Sequence, residues 1–434
     1  MIRRQRSEAS LPVDDVPGGV AGFHGPLLEV EDLHTGFRTD RGVVRAVDGV
    51  SLSLERGRTL GVVGESGSGK TVLSRSIMGL LPGSKTMREG TVRFEGRDIS
   101  NLSGDAERSL WGAEIAMVFQ DPMTSLNPVV KIGRKITETL RHHLDMDKRQ
   151  AKETAVALLR SVGIPEPERR LNQYPFELSG GMRQRVTIAI AISCGPKLLL
   201  ADEPTTALDV TVQAQILNLL GDLQRERFMA MILVTHDLGV VAGRTDHIAV
   251  MYAGKVVETA PTATLFAEMR MPYTEALLRS IPRTSDASHT RLTALGGRPP
   301  DLVYPPPGCR FAPRCPYAQE RCHREEPPLT AASGSSHAWA CWYPVGTPEG
   351  TAALDHNLSI GRPQTLASVV GGEKAVRAAE EAVAAETAAD ETAGVDAAAA
   401  ATVGSPEVGD GTALDSPARP VRSAGSRTRT TEQS

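Results

Sequence analysis

The chain has 434 residues, 40% of them hydrophobic and 23% charged, with a formal net charge of −4. That is enough apolar material for a large core and two or three domains, and the charge balance shows no basic excess of the kind nucleic-acid binders carry. No run of about 18 apolar residues reads as a membrane span, and the N-terminal arginines lead into polar residues rather than the apolar stretch of a signal peptide.

Residues 1–26 are polar and punctuated by Gly and Pro, and read as a flexible lead. Residues 27–265 alternate short β-rich runs with helical periodicity, the texture of an α/β domain. Strands are predicted over Leu60–Val63, Ile115–Phe119, Lys197–Asp202, Ala230–Val234 and Asp246–Tyr252. Ile132, Ile136 and Leu140 recur every four residues, and Val212, Ile216, Leu219, Leu220 and Leu223 share one helical face. Two helical patterns with no strand between them fill residues 130–165, which predicts a helical insert at about 121–180. Residues 266–345 are Pro-rich and hold four of the five cysteines. Residues 346–434 are dominated by Ala, Thr, Glu, Gly and Ser, and are expected to be disordered for want of apolar surface to offset ordering entropy. Their Ala/Glu stretch from Lys374 to Thr387 has helical tendency, but an isolated helix that short is marginal in water.

Four motifs carry chemistry. Gly64-Glu65-Ser66-Gly67-Ser68-Gly69-Lys70-Thr71 follows a strand and opens a helix, the context a P-loop needs. Its glycines let backbone N–H groups close around phosphate oxygens at a helix N-terminus. Lys70 would place a point charge on the β- and γ-phosphates of ATP, and the Thr71 hydroxyl would ligate Mg²⁺. Asp202 ends an apolar strand, where a buried carboxylate is costly without a cation; Mg²⁺ is the expected partner. Glu203, one residue on, is placed to polarise a water for attack on the γ-phosphate. Leu178-Ser179-Gly180-Gly181-Met182 opens a helix that Ser179 can cap, and forms a second phosphate-binding nest with the Gly180 and Gly181 N–H groups. One chain needs one nest for its γ-phosphate, so a second implies a nucleotide held by an opposing subunit.

In this order the motifs resemble those of ABC transporter nucleotide-binding domains, over about residues 27–265. The resemblance implies a P-loop NTPase fold with an antiparallel β subdomain and a helical insert. It also implies that Gln120 is the Q-loop residue touching Mg²⁺, that Asp209 belongs to the D-loop, and that His236 is the switch histidine. Phe37 resembles the aromatic that stacks on adenine, and equally suits the core of a first strand. Phe119 to Pro128, Ala201 to Gln215 and Met271 to Leu278 are similar to the ATPases of oligopeptide and dipeptide importers. Met182 and Thr205-Thr206 resemble their D-type subunit; Met271 departs from the family's common histidine.

Cys309, Cys315, Cys322 and Cys341 lie in a stretch similar to the C-terminal element of the same importer ATPases. Four thiolates can hold zinc or a [4Fe–4S] cluster, and spacing wider than C-x₂-C favours the cluster over zinc. Four unligated thiols in a small proline-braced module are the remaining alternative. Cys194 reads as core on an apolar helix.

These resemblances imply a peripheral ATPase at the cytoplasmic face of the plasma (inner) membrane. Its expected partners are two transmembrane permease subunits, a second ATPase of the F type or a second copy of this chain, and an extracytoplasmic substrate-binding protein. A soluble ABC ATPase acting on DNA or ribosomes would need long heptad arms or a second nucleotide domain. A nucleic-acid-binding zinc ribbon would need more than Arg310, Arg314, Arg321 and Arg324, which Glu320, Glu325 and Glu326 offset. Neither pattern is present, so no nucleic-acid partner is expected.

Overall fold

The computed structural model describes residues 25–361 apart from 84, 103, 105–108, 122–124, 207, 282–294 and 333. The lead up to residue 24, the tail from 362 and its Lys374–Thr387 stretch lie outside the described residues.

Two sheets organise the described chain. The larger runs in the order Thr330–Ala331, Ala338–Trp339, Lys255–Pro261, His247–Tyr252, Thr59–Val63, Ala230–Thr235, Leu198–Asp202, Ile115–Val118. Its last five strands are parallel, and the first three join them antiparallel. The second sheet is antiparallel, Gly42–Leu54 beside Leu28–Thr39, then Thr86–Phe94 and Arg97–Asp98.

The parallel strands read as unbroken apolar runs because both of their faces are covered. Side chains alternate between two cores with period two. Leu199, Ala201, Met231, Leu233, Ile248 and Val250 face the core shared with the helices. Leu198, Leu200, Ile232, Val234, Ala249 and Met251 face the core shared with the antiparallel sheet and the helix Lys70–Ile77.

The helical insert is built from Ile132–Leu144, Lys148–Ser161 and Pro167–Arg170. Ile132, Ile136 and Leu140 form the buried stripe that their spacing predicts. The second helix starts at a capping box, Asp147 accepting from the Gln150 N–H while Gln150 returns a bond to the Asp147 backbone. In the helix Val210–Glu226 the expected face is joined by Leu217, which the spacing argument omitted.

The chain after residue 265 returns to the main sheet: Ala338–Trp339 pairs with Lys255–Pro261 and extends it, Glu258 opposite Trp339 and Thr259 opposite Ala338. Two expectations need correction. The tail expected to be disordered from residue 346 begins with an ordered helix, Pro348–Ser359, capped by the Thr347 hydroxyl on the Gly350 N–H. It is tied to the cysteine module from Asn357 to the Pro316 and Ala318 carbonyls at 2.7 and 3.0 Å, and from Gln319 to the Ala353 carbonyl at 3.0 Å. A short amphiphilic helix that is marginal alone gains its order from such tertiary contacts. Finally, Cys194 is not on a helix: the helix Gly180–Ala191 ends before it, and Cys194 sits half-buried in the following turn.

Ile136 is fully buried at the centre of the insert. Truncation there leaves a cavity, so Ile136→Ala should lower unfolding free energy by about 2–5 kcal/mol, measured by urea denaturation.

Candidate functional site

The turns at the carboxyl ends of four adjacent parallel strands meet at one place. Val63 leads into the glycine-rich loop, Val118 into Phe119-Gln120, Asp202 into Glu203, and Thr235 into His236. Ligand sites in open α/β sheets form at these strand ends, where backbone groups leave the ladder unpaired.

The loop 64–71 is wedged between two strands of different sheets, and its glycines are required by that fit. A Cβ at Gly69, with φ 104°, would stand 2.1 Å from the Ala46 carbonyl oxygen. A Cβ at Gly64 would stand 2.1 Å from the Met251 carbonyl oxygen. Ser66 and Gly67 are exposed at the tip, whereas Ser68 is buried and its hydroxyl has no partner among the described residues. Lys70 is 4% exposed and its ammonium donates to the Gly64 and Glu65 carbonyls at 2.7 and 2.9 Å. Burial pulls its pKa down, opposed by the charges of Glu203, Asp202 and Glu65.

Asp202 is fully buried. Its Oδ1 accepts from the Thr71 hydroxyl at 3.0 Å, and its Oδ2 has no partner among the described residues. Burial pushes its pKa up, against the Thr71 hydrogen bond and the nearby Arg75 and Lys70 charges. An orphaned carboxylate oxygen beside a threonine hydroxyl is the donor set a hard cation such as Mg²⁺ takes, so these residues fit that ion.

Glu203 gathers the rest. Its Oε2 accepts from Gln120 Nε2 at 2.9 Å and from the Thr206 hydroxyl at 2.9 Å, and lies 3.5 Å from His236 Nδ1. Its backbone is left-handed, with φ 45°, a conformation non-glycine residues avoid and functional sites retain. The His236 side chain is 60% exposed.

The remaining expected residues lie elsewhere. Ser179 caps its helix, the hydroxyl accepting from the Met182 N–H at 3.3 Å. Gly180 and Gly181 pack against Leu208 and Val212. Asp209 caps the next helix through the Val212 N–H at 3.0 Å. Ser179 and Asp209 are both exposed, as are the apolar side chains of Phe176 and Val210 beside them. Phe37 is partly exposed on the strand Leu28–Thr39, opposite Val44 and Thr86. The D-loop residue Ala207, and Pro122 to Thr124 after Gln120, lie outside the described residues.

Sequence reasoning missed the residues that hold the loop from behind. The Tyr273 hydroxyl accepts the Glu65 N–H at 2.8 Å, and Arg314 grips the Glu65 carboxylate at 2.7 and 2.9 Å. Tyr252, Tyr273 and Phe311 pack tilted and edge-to-face as a fully buried aromatic trio beside them. The available signal was a tyrosine at a helix start and an arginine between two cysteines; neither spacing points to the loop.

Cys309, Cys315, Cys322 and Cys341 all line one cavity of about 10 Å³, with Phe311, Tyr317 and Trp342 around it. Burial raises every one of the four thiols, Cys309 to about 11 and Cys341 to about 12. The thiols converge, but the space suits about one water molecule. Among the described residues no group of three or more His, Cys, Asp or Glu is placed to hold a metal ion. In donor type the module therefore fits a thiolate-bound metal group; in spacing it does not.

Two family models match the chain: "ABC transporter" over residues 47–206 and "Oligopeptide/dipeptide transporter, C-terminal region" over residues 257–322. The chain is 51% identical over 312 residues to the oligopeptide transport ATP-binding protein OppD of Bacillus subtilis, covering 72% of this chain and 87% of that one. It is 50% identical over 317 residues to the dipeptide transport ATP-binding protein DppD of the same organism, covering 73% and 94%. It is 48% identical over 319 residues to DppD of Escherichia coli, covering 74% and 97%.

A pH signature should follow from Asp202. Its folded pKa lies above its unfolded value, so the protonated form is the stable one when buried. The stability this carries is complete well below the unfolded pKa of about 4, where both states are protonated, and is lost as pH rises through the folded pKa. In metal-free buffer Asp202→Asn should therefore be more stable than the wild type, with a gain in urea midpoint that grows from pH 4 to pH 7. A pH-independent difference would show that the carboxylate is not the penalised group.

Proposed function

The chain belongs to the oligopeptide/dipeptide family of ABC transporter ATP-binding subunits, and we propose that it powers uptake of peptides by binding and hydrolysing ATP at the loop 64–71. The observation that carries this is the meeting of Thr71, Asp202, Glu203, Gln120 and His236 at the carboxyl ends of the parallel strands, with one buried Asp202 oxygen unclaimed among the described residues.

In this reading the N–H groups of Gly64 to Thr71 and the Lys70 ammonium hold the phosphates. Thr71, Asp202 and Gln120 hold Mg²⁺. When bound, that ion neutralises charge on the β- and γ-phosphates. Glu203 orients and deprotonates the attacking water, and the Gln120 and Thr206 bonds keep its carboxylate aimed. His236 reaches the γ-phosphate from the exposed side, and Phe37 stacks on adenine. Chemistry here is positioning and charge stabilisation.

The site is half of a pair. Ser179 and Asp209 are exposed, and together with Gly180, Gly181 and Met182 they would complete the nucleotide site of a second ATPase subunit. The exposed Phe176 and Val210 beside them suit such an interface. An unlike F-type ATPase is the favoured partner and a second copy of this chain the alternative. No helix among the described residues is long and apolar enough to cross a membrane, so the peptide path is assigned to two separate permease subunits. The ATPase sits on their cytoplasmic side, and an extracytoplasmic binding protein selects the cargo. Nickel or another small solute is the alternative cargo, to be separated by transport of labelled di- and oligopeptides.

For Cys309, Cys315, Cys322 and Cys341 the proposed occupant is a [4Fe–4S] cluster, with zinc or no metal as alternatives. Support comes from the convergence of the four thiols on one cavity. No step of the ATPase reaction runs through this group.

Two substitutions separate binding from chemistry. Lys70→Ala should abolish measurable ATP binding, whereas Glu203→Gln should bind ATP as the wild type does, lose at least about a hundredfold in turnover, and accumulate as a closed ATP-loaded dimer on size exclusion. Normal turnover by Glu203→Gln would contradict its role. For the cysteines, anaerobic purification followed by iron, sulfide and zinc analysis should return iron and sulfide in equal amounts. Four titratable thiols with no metal would reject both cluster and zinc.

A further inference from the structure

Arg314 closes the short turn Ala312–Arg314, immediately before Cys315, and is 5% exposed. Its guanidinium makes a two-point contact with the Glu65 carboxylate at 2.7 and 2.9 Å. It also donates to the Gly296 carbonyl at 2.8 Å, the Leu295 carbonyl at 3.3 Å and the Tyr252 hydroxyl at 3.2 Å, and lies over the Tyr252 and Phe311 rings. Every polar group of Glu65 is thereby engaged: its N–H by Tyr273, its carbonyl by Lys70, and its carboxylate by Arg314.

A carboxylate inside a loop that must receive a polyanion is a liability. At partly buried distances of several ångströms, like charges repel by more than thermal energy. The planar fork of an arginine cancels a carboxylate and fixes its direction together, which a lysine does not. The cancelling charge comes from residue 314, far outside the stretch 47–206 that matches the ABC transporter model, and sits between Cys309 and Cys315.

We propose that Arg314 is a positioning residue for the phosphate loop: by neutralising and orienting Glu65 it lets the loop N–H groups and Lys70 meet the phosphates of ATP, so the cysteine module sets ATP affinity. This rests on residues 64–71 being the phosphate loop.

The test is ATPase kinetics of the assembled transporter in lipid vesicles. Arg314→Met should raise KM for ATP about tenfold, with kcat changed less than about threefold. Arg314→Lys keeps the charge without the fork and should raise KM only about two- to threefold. Combining Arg314→Met with Glu65→Gln should bring KM back towards the wild type, because the repelling carboxylate is gone. A merely structural loosening of the module would leave the double variant as impaired as the single one. An unmoved KM in Arg314→Met, or no recovery in the double variant, overturns the proposal. If Arg314→Met does not assemble, Glu65→Gln and Arg314→Lys decide: KM at or below wild type in the first with a modest rise in the second supports the proposal, and the reverse overturns it. Lys70→Ala in the same preparation checks the premise separately, since an unchanged KM there would remove the phosphate loop itself.

Discussion

The structure turns on a charge that the fold buries without finishing its coordination. Asp202 stands at the end of a strand that is apolar on both faces, and one of its oxygens has no partner among the described residues. Burying a carboxylate costs several kcal/mol unless it is paired, and in the proposed reading the cation that pairs it arrives with the nucleotide. The surrounding groups follow from that choice. Lys70 is held down on carbonyl oxygens, Thr71 leans on Asp202, and Glu203 is turned into a left-handed backbone conformation that aims its carboxylate at Gln120, Thr206 and His236.

The C-terminal region enters the same account. It extends the main sheet through Ala338–Trp339, packs Tyr273 and Phe311 against Tyr252 of the main sheet, and sends Tyr273 and Arg314 to Glu65. In this protein the nucleotide site is therefore braced by residues that come some two hundred positions later in the chain. The brace is rigid because its parts are buried and mutually satisfied: Glu258, fully buried, accepts from the Arg270 and Met271 N–H groups and meets His337 at 2.8 Å.

Much of this was legible in the amino-acid sequence, and the limits are physical. Strands such as Leu198–Asp202 and Ala230–Thr235 announce themselves because a doubly covered strand needs an unbroken apolar run. The loop 64–71 and the turn 178–182 are legible because phosphate binding needs particular residues at fixed spacing. Tyr273 and Arg314 were not, since a contact between a loop and a helix two hundred residues away leaves no local period. The helix Pro348–Ser359 was missed for a related reason. Its composition resembles the low-complexity tail beyond it, and its order comes from Asn357 and Gln319 bonding across to the cysteine module. The cysteines were recognisable as a group, and they do converge, but spacing along a chain does not state how far apart the sulfurs stand.

The two-residue strands Thr330–Ala331 and Ala338–Trp339 have one further consequence. Without them the strand Lys255–Pro261 would end the sheet, with a row of unpaired backbone groups between apolar residues Val256, Val257 and Ala260. Open edges of that kind recruit strands from other molecules. The strands that cover it are too short, and their outermost member too exposed, to offer a template in turn. The C-terminal module thus acts as a cap on sheet growth, and its loss during synthesis or proteolysis would expose the ATPase to association through its own sheet edge.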